Sequence, residues 1–533
     1  MPHHHTEDVM WNPPIAVPPE EQTIAARTRK TRQFFVFLRE HRHELVDADF
    51  QDTLAHSDRS KPGGQAPVEA GLWALATRWQ AYGHVGERDA VALTGMDTRG
   101  PMVLAGLGAE QPPCSQGTLG NFRMRLIAHP LDKTLWERTV ALAETTGGFG
   151  ARQLRAVLDS TPLVGARRGE DTLHLLGHAR RTAVDRAAQA LGPSAEAVVE
   201  DAGLGLVGHR SLKAALARAG GEPRARACAL GLVLEDVARW QRGLAPPQTL
   251  AAAQPPLKEG METITQMIAQ DTEPDPGGGP GGRRLQHHVA PDRRISIEAK
   301  DSRHGRTSRA QTFNGFQEHC AVDLDRTGIR EVVMGPANAP EYEAGELLAA
   351  ELAKAPGRLQ RTRDLGSMAR PRIAHWAEPG GYSMARPWPQ GGPRCTKPDF
   401  TLDFAGMQVT CPGGQSVPMV LGTPAPFPAA GCDGCALRPQ GTNATRGPGR
   451  SLRIRTDAPF QQKLRATMQT RRGRAARRKR TAVEHTMAHQ LVPQGRRARY
   501  KGWRKKQFDG RRHAAVSNLQ VAAHYEEEHR LAS

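Results

Sequence analysis

The stretch Leu154-Arg155-Ala156-Val157-Leu158-Asp159-Ser160-Thr161-Pro162 decides how the chain is read. It predicts a short apolar strand that runs into an aspartate and is stopped by proline, leaving one carboxylate at the strand's C-terminal end. Open α/β sheets carry their chemistry at that end. Asp-Ser-Thr-Pro is also good turn chemistry, so the carboxylate acquires meaning only from the rest of the chain.

Downstream, helical periodicity from Asp171 to Leu191, from Lys213 to Leu244 and on toward Met267 predicts a helical insertion into a sheet domain. Pro274 to Gly282 reads as a flexible linker that closes it. Strand patterns follow at Arg294 to Ala299, Gly315 to Leu324 and Ile329 to Val333, then a helix at Glu343 to Ala353. A stretch ending at Asp364, a helix at Ala369 to Trp376 and a strand at Gly381 to Ala385 complete the pattern of a mixed α/β sheet. Asp364 is a second carboxylate at a strand end. Trp388 to Arg450 is rich in Pro and Gly and reads as a loop-built subdomain that holds four of the seven cysteines. A long basic helix is expected from Gln461 to Leu491, with Val483, Met487 and Leu491 on one stripe and Arg480, Glu484 and Ala488 on the next. Glu484 is the third carboxylate.

Upstream, helical spacing from Glu20 to Leu45, a polar break at Ser57 to Gln65 and a series of short helices up to Ala143 predict an all-helical N-terminal domain. Ser115 caps a helix whose Leu119, Phe122 and Leu126 form an apolar face. Asn121, Arg123 and Arg125 lie on its other faces, as on the recognition helix of a helix-turn-helix or on an ordinary solvated bundle helix.

With 533 residues the chain exceeds a single core. Its 73 Lys and Arg against 55 Asp and Glu give +18, concentrated toward the C-terminus, which points to a polyanionic partner. No apolar run reaches membrane-spanning length, and seven scattered cysteines argue for a reducing, cytoplasmic setting. His3 to His5 receive no role. Three acids, two at strand ends and one on a helix, suit a two-metal phosphoryl-transfer site. Any long chain offers many such trios.

The runs Leu158-Asp-Ser-Thr-Pro-Leu-Val-Gly-Ala166, Glu170 to His178, Pro336-Ala-Asn-Ala-Pro-Glu341, Arg386-Pro-Trp-Pro389, Arg480-Thr-Ala-Val-Glu-His485 and Gly495 to Gly502 with Phe508-Asp509 resemble DDE-class transposases of bacterial insertion sequences. The resemblance covers most of the chain from about Pro67. It implies an α/β RNase H-like mixed sheet at 151–533, with a helical insertion at 166–285 and a Cys-containing loop insertion at 388–458. A tail and helix at 1–66 and a helical DNA-binding domain at 67–150 precede it. The implied activity is binding of the element's terminal inverted repeats, metal-dependent strand cleavage and strand transfer, in the bacterial cytoplasm at the nucleoid. Double-stranded DNA at element ends and target is the implied partner, with a homodimer in the synaptic complex and no membrane.

In that reading Asp159, Asp364 and Glu484 bind two magnesium ions, with manganese able to substitute, and Arg480 steadies a phosphate or the glutamate. A helix-surface ion pair is the alternative for Arg480. DNA contacts are expected from Asn121, Arg123, Arg125, Arg477, Arg497, Arg499, Tyr500, Arg504 and Lys505. The chain departs from the family's usual Asp-Arg-Gly-Tyr at Asp364-Leu365-Gly366-Ser367, which leaves open a catalytically impaired relative that only binds DNA. Relatives also carry a cysteine where this chain has Gly441. Cys395 or a histidine could supply a fourth ligand, but Cys411, Cys432 and Cys435 without an obvious partner read as free thiols, and no structural zinc is expected.

Overall fold

The computed structural model describes residues 10–29, 33–56, 69–107, 109, 115–149, 155–201, 255–277, 283–307, 310–353, 360–364, 381–384, 394–442, 449–475, 478, 484–485 and 495–533. The segments read above as helices at Lys213 to Leu244 and Ala369 to Trp376 lie outside them. Among the described residues no helix is long and apolar enough to cross a membrane.

Ala156, Val157 and Leu158 are buried and form the middle of the central sheet. Its strands are β1 (Arg155–Val164), β2 (Thr312–Asp323), β3 (Ile329–Pro336), β4 (Gln360–Asp364) and β5 (Gly381–Met384). They lie in the order β3-β2-β1-β4-β5, with β2 antiparallel to β1 and to β3, and β4 and β5 running parallel to β1. A short strand, Arg303–Arg306, pairs with the first residues of β2. Pro162 does not stop β1, contrary to the sequence expectation: the strand continues to Val164, paired with β2 throughout. The paired register with β4 covers only Arg155 to Val157, and proline is tolerated where a strand has lost one neighbour.

The two faces of β1 alternate between two cores. Val157 and Leu163 pack with Trp136, Phe316, Ala514 and Ala515, under the C-terminal helix Trp503–Ala532. Ala156 and Leu158 pack on the other face with Leu348 and Leu352 of the helix Glu341–Leu352. The C-terminal helix also seals the edge of β3. Gln507 donates from Nε2 to the Val332 carbonyl (2.6 Å) and accepts from Met334 N–H (2.9 Å). Asn518 does the same for both backbone groups of Ile329 at 2.7 Å. Two side-chain amides replace a missing strand and satisfy buried backbone groups that would otherwise be orphaned.

Helices Gln33–Glu40, Ala70–Gly83, Gln116–Ala128 and Leu131–Thr145 share one core, which Phe508, Leu519 and Ala522 of the C-terminal helix complete. The boundary expected at residue 66 falls inside this core, because Phe35 packs on Trp79 and Tyr82 across it. In the insertion, Thr172–Leu191 crosses Pro255–Asp271, and Gly260 approaches so closely that a Cβ there would sit 3.1 Å from the Ala183 Cα. The expected linker instead begins and ends in a hairpin, since Pro274 pairs with Arg283. The expected strand at Arg294 to Ala299 is absent. There the Arg294 guanidinium donates to the carbonyls of Ser296 and Ile297, curling the backbone around itself.

Residues 394–458 are more ordered than a set of loops. Three short strands, Thr401–Asp403, Gln408–Thr410 and Ser416–Pro418, form an antiparallel meander, and Pro424–Pro426 pairs with Ser451–Arg453. They enclose a small core around Phe400, Val409, Phe427 and Ile454. The long basic helix expected next is interrupted. Ala458–Gln469 ends at extended Thr470, whose hydroxyl accepts from Gly473 N–H (3.1 Å) and caps a new helical turn.

Candidate active site

Asp159 stands in the middle of β1, two residues beyond the pair Val157–Thr362. Asp364 stands two residues beyond Thr362 at the end of β4, where it pairs with Met384. Each aspartate thus stands two residues beyond the last pair of these adjacent parallel strands. This is the open end of the parallel half of the sheet. Asp159 occupies the parity of Val157 and Leu163, on the side of the C-terminal helix, opposite Cys320. Its Oδ1 accepts from Ser160 N–H at 2.9 Å. Burial, with the Glu318 and Asp159 charges nearby, pushes the Cys320 thiol well above its usual range, so it stays protonated.

A carboxylate absent from the three-acid reading belongs to this neighbourhood. Glu341 opens its helix and accepts from the Ser160 hydroxyl at 3.1 Å, tying the helix to the strand next to Asp159. The signal was the chain reversal at Pro336 to Pro340, which returns an acid to the sheet.

Glu484 is helical and exposed. It lies between two anchored segments: helix Ala458–Gln469, which packs against β5, and residues 496–498, which run beside the end of β1. There Arg496 accepts from Val164 N–H (2.8 Å) and Val164 accepts from Ala498 N–H (2.7 Å). Arg480, Arg477 and Leu365-Gly366-Ser367 lie outside the described residues. Among the described residues no group of three His, Cys, Asp or Glu stands close enough to hold a metal ion. The Asp364 side chain is not among them.

The residues read as DNA contacts divide into two sets. Asn121 and Arg497 are exposed, and Arg125 and Lys505 are half-buried, with Arg125 lying over the Phe122 ring. The others make contacts within the chain. Arg123 pairs with Glu87 and lies over the Tyr500 ring (4.5 Å), and Arg499 donates to the carbonyls of His84 (2.8 Å) and Val85. Arg504 and Arg511 both pair with buried Asp132. The basic run 496–512 thus serves partly as a seam between the helical region and the C-terminal helix. Lys506 and Arg512 within it are buried, and burial lowers the Lys506 ammonium to about 8 beneath the Phe316 ring.

Residues 410–523 match the family model of the transposase DDE domain. Over that stretch the chain is similar to the DDE domain of transposases. The match covers Glu484 and the seam, and leaves Asp159 and Asp364 to be judged from the sheet. Neither a curated protein nor a solved structure matches the chain.

Proposed function

We propose that this chain is a DNA transposase whose central sheet is RNase H-like, and that it cleaves DNA at the ends of its own element and transfers the freed strand. What supports this is the place of Asp159 and Asp364, each two residues beyond the last Val157–Thr362 pair on adjacent parallel strands, in the strand order β3-β2-β1-β4-β5. The family match over 410–523 supports it independently.

Asp159, Asp364 and Glu484 would hold the divalent ions, magnesium or manganese, and hard carboxylate oxygens are the donors such ions select. When bound, the ions supply positive charge to the phosphodiester and its leaving oxygen. The chain's own part is to orient these acids. The Ser160 amide fixes one Asp159 oxygen, and the Ser160–Glu341 bond holds the neighbouring helix at the sheet. Arg480 would steady the phosphate. Exposed Arg496 and Arg497, on the segment beside the end of β1, would guide the DNA backbone, with Asn121, Arg125 and Lys505 as further contacts. Synapsis of two ends would pair two copies.

Asp159→Asn tests the proposal, because it keeps the side chain's shape and removes its charge. Cleavage of end DNA in magnesium should fall by at least about a thousandfold while binding persists. Unchanged cleavage would remove Asp159 from the mechanism. Wild-type protein that binds but never cuts would favour the impaired relative.

A further inference from the structure

Cys395, Cys411, Cys432 and Cys435 all line one small, apolar-walled cavity in the 394–458 region, together with Phe400 and Phe427. They reach it from three separated segments. Cys411 begins a tight turn in which it donates to the Gln415 carbonyl (2.8 Å) and accepts from Gly414 N–H (2.9 Å), with Gly414 at φ +82°. Gly413 in that turn lies between two thiols: a Cβ there would stand 3.0 Å from Cys435 Sγ and 3.6 Å from Cys411 Sγ. Cys432 and Cys435 come as a Cys-x-x-Cys, with Cys435 N–H donating to the Cys432 carbonyl at 3.2 Å. Cys395 is fixed to the loop that follows them, because its N–H donates to the Gln440 carbonyl at 2.7 Å.

We propose that these four cysteines are the ligands of one structural zinc ion, with Cys395 as the fourth ligand. Four thiolates around one point match zinc's tetrahedral preference, and sulfur donors select it over magnesium. Arg438 and Arg450 line the same cavity and would balance the negative charge of a four-thiolate centre. The thiols stand wider apart than the ligands of a bound ion, and they would close in as the ion binds, since such sites form together with their metal. The sequence alone leaves the fourth zinc ligand open between Cys395 and a histidine. Cys395 stands 16 residues before Cys411, and its hydrogen bond to Gln440 and its packing on the same small core as Cys411 and Cys432 bring it to the others. The proposal is independent of the catalytic reading.

The test uses the full chain, purified reduced from zinc-supplemented medium, with zinc measured by elemental analysis and cobalt then substituted for it. We expect one zinc per chain and the absorption of a four-thiolate cobalt centre. Cys395→Ser should weaken zinc binding by at least about tenfold and shift the cobalt bands to those of a three-thiolate centre. Gly441 lines the same cavity, and a Cβ there would meet nothing within 4 Å. Gly441→Cys placed on Cys395→Ser should therefore restore binding, which separates lost ligation from misfolding. Zinc below about a tenth of an equivalent in wild type, disulfides in place of thiols, or a Cys395→Ser variant with the wild-type cobalt spectrum would each overturn the assignment.

Discussion

The seam along the C-terminal helix and the cysteine-lined region at 394–458 are held together by different means. The seam buries large side chains on both flanks, Trp73 and Phe122 in the helical core and Trp136 and Phe316 against the sheet. It also buries its charges in pairs: Asp132 with Arg504 and Arg511, and Asp509 with Arg512 at 2.5 Å. Burial alone would push the Asp509 carboxyl up, yet the Arg512 and Arg499 guanidiniums more than offset it and hold it below the usual range. The cysteine-lined region has strands of three residues and a small core. A region with so little to bury would gain most from the zinc proposed above, whereas the seam depends on packing and paired charge.

Acid should weaken the seam at His513 and the other face of the sheet at His319. Burial depresses His513 to about 3 and His319 to about 4, so both are neutral in the folded chain at pH 7. A lowered folded value means the unfolded chain binds the extra proton, so this stability is present above about pH 6.5 and is lost as pH falls toward those values. Between pH 7 and pH 5 the loss should reach about 2 kcal/mol per histidine, read from denaturant midpoints at each pH. Flat stability over that range would show that the two rings are solvated.

Cavities should sharpen the contrast. Leu519→Ala should cost about 3 kcal/mol and lower the main thermal transition, because Leu519 is fully buried in the core shared with the helical region. Leu452→Ala should cost about 2 kcal/mol and loosen 394–458 alone, seen as faster hydrogen exchange there. A common transition for both variants would erase the distinction. Smallest are the polar contacts. Gln507→Leu strands two buried backbone groups and should cost about 2 kcal/mol, while Thr410→Val removes the exposed Thr410–Ser416 bond for about 0.5 kcal/mol or less.

Asp159 was legible as a strand residue, because an apolar run followed by Asp is a local pattern, whereas Asp364 follows the polar stretch Gln360-Arg361-Thr362-Arg363 and was singled out by the resemblance. That their strands lie side by side was not legible, since it depends on a parallel pairing between segments about 200 residues apart. Pro162 misled for the same reason: whether proline ends a strand depends on which neighbours remain. The C-terminal helix was hidden by its composition. Lys506, Asp509 and Arg512 look like surface residues, and the contacts that accompany the burial of Lys506 and Arg512, with the Phe316 ring and Gln80, come from far away in sequence. Thr470 is a missed local cue, a hydroxyl residue three positions before Gly473 that could have marked a new helix start. Ser115 was read as a cap, and its hydroxyl does accept from Thr118 N–H at 3.2 Å.

The amides of Gln507 and Asn518 also constrain assembly. A strand offered by any other polypeptide would have to expel both side chains from β3 before it could add to the sheet there. Copies of this chain are thereby steered away from joining edge to edge along β3, and ribbon-like polymerisation is blocked on that side by two residues three helical turns apart.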